Sequence, residues 1–142
     1  MAQMLAHGNA HNLLFSFCTD ELVTLNEDSE PYPSPQREDL RPLEGIYHTN
    51  YIFARMYRCI HTLLKSGILN ETGEEKAQEL LANNAAFFRS GWKTVSTHGR
   101  LSPLGRDLLE NALAAMDAVA VCQDASTVSG SDSVFGRVPP IV

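Results

Sequence analysis

The stretch Met4-Leu5-Ala6-His7-Gly8-Asn9-Ala10-His11-Asn12-Leu13-Leu14-Phe15 sets the reading of this chain. Two histidines stand four apart in what reads as a helix, so about one turn brings both imidazoles to the same face. That spacing lets one helix offer two nitrogen ligands to one metal ion. Counted along the helix, Met4, His7, His11, Leu14 and Cys18 fall in one stripe, which turns the pair inward. In the zinc-hydrolase pattern HExxH a Glu follows the first His and acts as general base; here Gly8 holds that place. The two ligands are kept and the base is not. A histidine on an apolar stripe is more often a core residue satisfied by its neighbours than a ligand, and that reading stands beside the metal one. Gly8 weighs slightly against it, because a mid-helix glycine costs about 1 kcal/mol relative to alanine, a cost that close packing or ligand approach would explain.

The whole chain of 142 residues, 44% hydrophobic, suits one globular domain with its own core. Seventeen acidic residues against eleven basic ones give a net charge of −6. Phosphate backbones are repelled by that balance, and no Lys/Arg stripe offsets it, so nucleic acid is not an expected partner. No run of about 20 apolar residues offers a membrane span, and no signal-peptide pattern opens the sequence. Cys18, Cys59 and Cys122 are odd in number, far apart and each on an apolar helical stripe. They read as reduced core residues of a cytoplasmic protein.

Helix one is expected from Ala2 to Cys18. Thr19 to Arg41 is acidic, with Pro31, Pro33 and Pro35 favouring extended backbone and no sustained period. Asp20 to Asp39 reads as a lid or substrate-facing loop. Helix two starts at Pro42, with Glu44 in its first turn, and ends at Ser66 before Gly67. Its stripe Ile52, Met56, Cys59, Leu63 extends back to His48, with Arg55 alongside, so His48 is expected to face the same interior as His7 and His11. His61 falls on the polar side and reads as a surface residue.

Thr72 and Glu75 form a capping-box pattern that opens helix three, running to Thr97. Ala77, Leu80, Leu81, Phe87, Phe88 and Val95 lie on its broad apolar face, and Gly91 is expected to bend or break it. Ser102-Pro103 opens helix four, with Leu104, Leu108, Ala112, Ala115, Val119 and Cys122 in line. No repeat and no strand pattern is evident. The expectation is an all-α, single-domain bundle of about four helices: a helical metal-binding domain over 1–122, then a loosely ordered tail over 123–142.

Three imidazoles meeting in a core suit Fe(II), Zn(II) or a similar ion. Hydrolysis needs a base to activate water, and Gly8 supplies none. Glu44, one turn before His48, is a candidate base, a partner of a ligand, or a ligand itself; His7, His11 and Glu44 would make the two-His-one-carboxylate triad of iron oxygenases. The three-histidine set is preferred, since a Glu in a first turn usually serves the helix dipole. Arg41 and Arg55 are candidates to grip a carboxylate through paired hydrogen bonds, although pairing with an internal acid is their commoner use.

Beyond these readings, three segments resemble a known family. His7-xxx-His11-Asn-Leu-Leu-Phe, then Ser34-Pro35-Gln36-Arg37-Glu38-Asp39-Leu40-Arg41-Pro42-Leu43-Glu44-Gly45-Ile46-Tyr47-His48, then Phe53-Ala54-Arg55-Met56 resemble the HExxH-type peptide β-hydroxylases, Fe(II)- and 2-oxoglutarate-dependent enzymes of modified-peptide biosynthesis. The similarity spans residues 4–110, and Gly8 stands where that family has Glu. The resemblance implies His7 and His11 as metal ligands, His48 as the third, and Arg41 or Arg55 as holders of 2-oxoglutarate. The function expected is C–H oxidation of a peptide or amino-acid-derived substrate in natural-product biosynthesis, with a second copy or a partner biosynthetic protein as companion. The alternative is a non-catalytic, degenerate helical module that binds a peptide or a partner enzyme.

Overall fold

The structure, a computed structural model, describes residues 1–34 and 37–128. It is a mostly helical single domain in which α1 (Ala2–Phe17), α2 (Leu43–Lys65), α3 (Glu71–His98) and α4 (Pro103–Val128) pack around α2. A small hairpin, β1 (Pro31–Ser34) and β2 (Arg37–Pro42), precedes α2. The expected all-α bundle is what the chain forms. None of these helices is long and apolar enough to cross a membrane.

The central place of α2 follows from its side chains. Leu43, Ile46, Tyr47, Tyr51, Phe53, Met56 and Ile60 are all buried, and they lie around more than one face of the helix. A helix apolar on several sides must be covered on several sides. Glu44 lies in its first turn, and Ser66 closes it before Gly67, whose φ of +65° is a backbone state that glycine adopts at little cost.

Helix three starts differently from the capping-box reading. Asn70, not Thr72, is the cap: its side-chain oxygen accepts from the Gly73 N–H at 2.9 Å. Thr72 is already inside the first turn, which is why its hydroxyl cannot serve. Gly91 neither bends nor breaks α3, which continues to His98. Its role is close approach, since a Cβ there would run into the side chain of Asn50 on α2. The two helices are antiparallel, with Phe53 stacked on Phe87 at 5.2 Å.

Helix four begins as expected, the Gly105 N–H donating to Ser102 Oγ at 3.0 Å. It continues past Cys122 to Val128, so the helix occupies the first part of the expected tail; residues 129–142 lie outside the described residues.

The segment after α1 also corrects the sequence reading. Strands exist: β1 and β2 pair antiparallel, Pro31 with Pro42 and Tyr32 with Arg41. A two-stranded ribbon has only edges, so prolines that cannot donate are tolerated there, and period-2 patterning is weak. Pro35 and Gln36 at its tip lie outside the described residues.

Nor is the stretch before the ribbon a free loop. Val23 and Thr24 are buried, and Thr24 bridges to Leu101. Leu25 N–H donates to the Arg100 carbonyl at 2.7 Å, and Ser102 N–H to that of Val23 at 3.2 Å. Asn26 adds both halves of its amide, donating to the His98 carbonyl at 3.0 Å and accepting from Arg100 N–H at 2.7 Å. The turn between α3 and α4 is thereby tied to the segment that follows α1.

Gly105 sits under this strap. A Cβ there would meet the Val23 carbonyl, with its carbon at 2.8 Å and the Val23 Cα at 3.0 Å. These are backbone atoms and cannot rotate away. Gly105→Ala is expected to destabilise the fold by about 3 kcal/mol, the upper part of the usual overpacking range. Urea unfolding checks this, with a loss under 0.5 kcal/mol counting against the close approach.

Candidate functional site

The first helix lacks any acidic residue in its first turn and any basic residue in its last. Its buried line is Ala10 and Leu14, with Ala6 and Cys18 partly covered. Leu14 and Cys18 thus hold their expected places, while Ala6 and Ala10 take the interface where Met4, His7 and His11 were expected. Met4 is 76% exposed, His7 is exposed and His11 is half-buried. Alanines at 6 and 10 let the backbone of α1 come close to α2, which places the bulkier imidazoles on the rim. The pair faces outward along the α1–α2 boundary, not into the core.

The pair itself forms as the spacing requires. His7 Nε2 and His11 Nε2 are 3.0 Å apart, one ring donating its N–H and the other accepting with its lone pair. Their ring centroids are 4.9 Å apart. His11 stacks on Phe15 at 5.9 Å, and Phe15 meets His48 of α2 edge-on at 5.4 Å. The result is a row of four rings, with Phe15 packed against both His11 and His48. Burial holds the His11 imidazole below its ordinary pKa, and the neighbouring His7 adds to that. Burial does the same to His48, opposed by Glu44 and reinforced by His11. Both rings therefore favour the neutral form that a metal ligand needs.

Whether the residues fit an ion can be asked of the distances. For bonds of about 2.1 Å, two cis positions of an octahedron lie about 3.0 Å apart. The His7–His11 separation matches that edge. The pair fits as two ligands of one ion once both lone pairs turn to it. His48 belongs to the same row but is reached across Phe15, and among the described residues no group of three His, Cys, Asp or Glu side chains converges on one point. Glu44 is exposed and acts electrostatically on both His48 and Cys18, whose thiol is pushed up by burial first and by Glu44 second.

The two arginines separate. Arg41 stands on β2 opposite Tyr32, its Nε 3.8 Å from Asp39 Oδ2. Arg55 is half-buried on α2 and, among the described residues, forms no ion pair. It borders a cavity of about 360 Å³ at the α1–α2 boundary, with Asn9, Arg58, Cys59 and Thr62. Arg58 was not among the residues singled out from the sequence. The signal was there, a second Arg three residues after Arg55 and so on a neighbouring part of the same helix.

His61 departs from its expected surface place. It is 9% exposed, and its Nε2 has no hydrogen-bond partner among the described residues. It shares a line of α2 with Asn50 and Tyr57, and all three are buried. The charged residues near it in sequence suggested a polar side, but α2 is covered too broadly to leave one there.

No protein-family model matches the chain, and no curated protein matches it at a significant level.

Burial lowers the pKa of His11, His48 and His61, with Lys65 contributing at His61. The unfolded chain thus binds protons more readily than the folded one below the ordinary imidazole value of about 6.5. Stability is full above that pH and declines as the solution is acidified below it, until the folded-state imidazoles also take up protons. Melting temperatures across this window are expected to fall, and less so in the double variant His11→Asn, His48→Asn. An unchanged slope in that variant would remove the two rings from the account.

Proposed function

We propose that this chain is an Fe(II)- and 2-oxoglutarate-dependent oxygenase that hydroxylates, or otherwise oxidises at C–H, a peptide or amino-acid-derived substrate in natural-product biosynthesis. The observation that carries this reading is the His7–His11 nitrogen separation of 3.0 Å, in a chain whose motif order resembles that of the peptide β-hydroxylases. Iron with 2-oxoglutarate supplies the oxidising chemistry when bound. The chain's own residues hold and orient. His7 and His11 would provide two ligands from one helix, and His48 would provide the third from α2. Phe15, 56% exposed, is the side chain whose rotation would open the row to His48. Glu44 remains the rival third ligand, and otherwise favours and steadies His48 by its charge. Arg55, without an acid partner among the described residues, is better placed to receive the cosubstrate carboxylate than Arg41, which already faces Asp39. Gly8 removes the general base that hydrolysis would use but leaves an oxygenase its ligands.

A second reading has its own observation. Met4, Leu5 and Phe15 are exposed on α1, with Met1 exposed at its start, which favours a degenerate module that docks a peptide or partner enzyme there.

Anaerobic addition of Fe(II) and 2-oxoglutarate separates the two. The oxygenase is expected to give a weak visible charge-transfer band that His7→Ala and His11→Ala each abolish, and a melting temperature raised by the metal. No band and an unmoved melting temperature would favour the docking module.

A further inference from the structure

Two concave surfaces flank one pair of guanidiniums. Arg55 and Arg58 border the cavity of about 360 Å³ described above and also a second, of about 210 Å³, between α1, α2 and α4. The second differs in character. Leu13 and Phe17 of α1 and Leu108 of α4 wall it with hydrocarbon, while Ala54, Ala112 and Ala115 are too short to fill it. Among the described residues, the polar ones on its lining are the two arginines, Tyr51 and Asn111, and none is acidic.

The charges here are unbalanced. The chain has seventeen acidic residues. Among the described residues, ion pairs form at Arg41–Asp39, Lys76–Glu79 and Arg100–Glu30, and neither Arg55 nor Arg58 takes part in one. Two like charges at i, i+3 on a helix repel, and a half-buried guanidinium carries a desolvation cost unless an anion meets it. Burial pushes the Tyr51 phenol up, against the nearby Arg55, so its hydroxyl is protonated at neutral pH and able to donate to an anion. Sites with few polar groups set in an apolar wall are the usual form of small-molecule pockets. The volume is below the range of about 300–1,000 Å³ typical of drug-sized ligands, which limits the occupant's body to one aliphatic or aromatic group.

We infer that this cavity binds a carboxylate carried on a compact apolar body, with the carboxylate on Arg58 and Arg55 and the body among Leu13, Phe17 and Leu108. A guanidinium grips a carboxylate by two parallel hydrogen bonds, which fixes orientation as well as charge. The inference rests on the oxygenase proposed above and names its substrate class. Arg55 borders both cavities, and its five N–H donors let it meet the substrate carboxylate on this side while still facing the cosubstrate in the more polar cavity beside Asn9 and Thr62. Binding itself depends on the arginines and the α1–α2–α4 wall, and needs no metal.

Calorimetric titration of the metal-free full chain in EDTA tests it, so a missing iron band and a missing carboxylate site are separate results. The probes are N-acetylphenylalanine against its amide, and octanoate against octanamide. At least one acid is expected to bind saturably, about tenfold or more tighter than its uncharged partner, since hydrogen bonds to a charged group are at stake. Arg55→Gln and Arg58→Gln should each weaken that acid by a similar factor, and Ala115→Leu should exclude it by filling the space, with circular dichroism showing all three folded. Preference for N-acetylphenylalanine identifies the end of a peptide as the source of the carboxylate, and preference for octanoate a free acid. The proposal is overturned if neither acid binds, if the amides bind equally, or if both arginine variants bind as the parent does.

Discussion

Three parts of the chain meet at Gly105. Its N–H is taken by Ser102 Oγ, its carbonyl accepts from the buried Tyr47 hydroxyl at 2.7 Å, and its Cα lies under the Val23 backbone. Tyr47 belongs to α2, Val23 to the segment after α1, and Gly105 to the first turn of α4. One residue without a side chain therefore fixes how far α4 stands from α2. That separation, continued along both helices, sets the width of the gap between Ala54 and Ala112. Tyr47 is fully buried, so its hydroxyl has no water to fall back on, and burial keeps it protonated as a donor. The gap bordered by Arg55 and Arg58 is held open from a point two turns away.

The histidine row depends on a different balance. The imidazoles of His11 and His48, at the edge of a helix interface, are dry enough to lose some affinity for protons and wet enough to remain reachable. His7 and His11 share one hydrogen bond, which works only while at least one ring is neutral. Phe15 extends that environment to His48 by covering it edge-on. Proton affinity and metal affinity are opposed at such nitrogens, and the surroundings of His11 and His48 act on the first in the direction that helps the second.

Helix number, order and most ends were legible because they rest on local chemistry: Ser102 before Pro103, Gly67 after Ser66, apolar residues recurring every three to four positions. The facing of α1 was not. Periodicity locates a stripe only to within one residue, and here Ala6 and Ala10 won the interface over His7 because close backbone approach buries more than a polar ring would. Gly91 carries the same lesson. From sequence it looks like a break, yet its meaning depends on Asn50, forty-one residues earlier in the chain. The strap at Asn26 and the ribbon after it rest on contacts with residues 98–101, which no local pattern announces. The histidine pair was legible as a pair, whereas its relation to His48 was decided by Phe15, a residue that read only as part of an apolar run.

The first helix has a mechanical character that the others lack. No side chain caps its N-terminus, no charge complements either end, and two of the residues it presses on α2 are alanines, which bury little. Elements with uncapped ends and small buried side chains detach at lower free energy than the central helix they cover. Amide exchange in residues 2–17 should accordingly outrun that of α2, and three of the row's four rings travel with the part that opens, leaving His48 behind. An ion gripped from both helices would add its binding free energy to the cost of that opening, turning a hinged flap into a clasp.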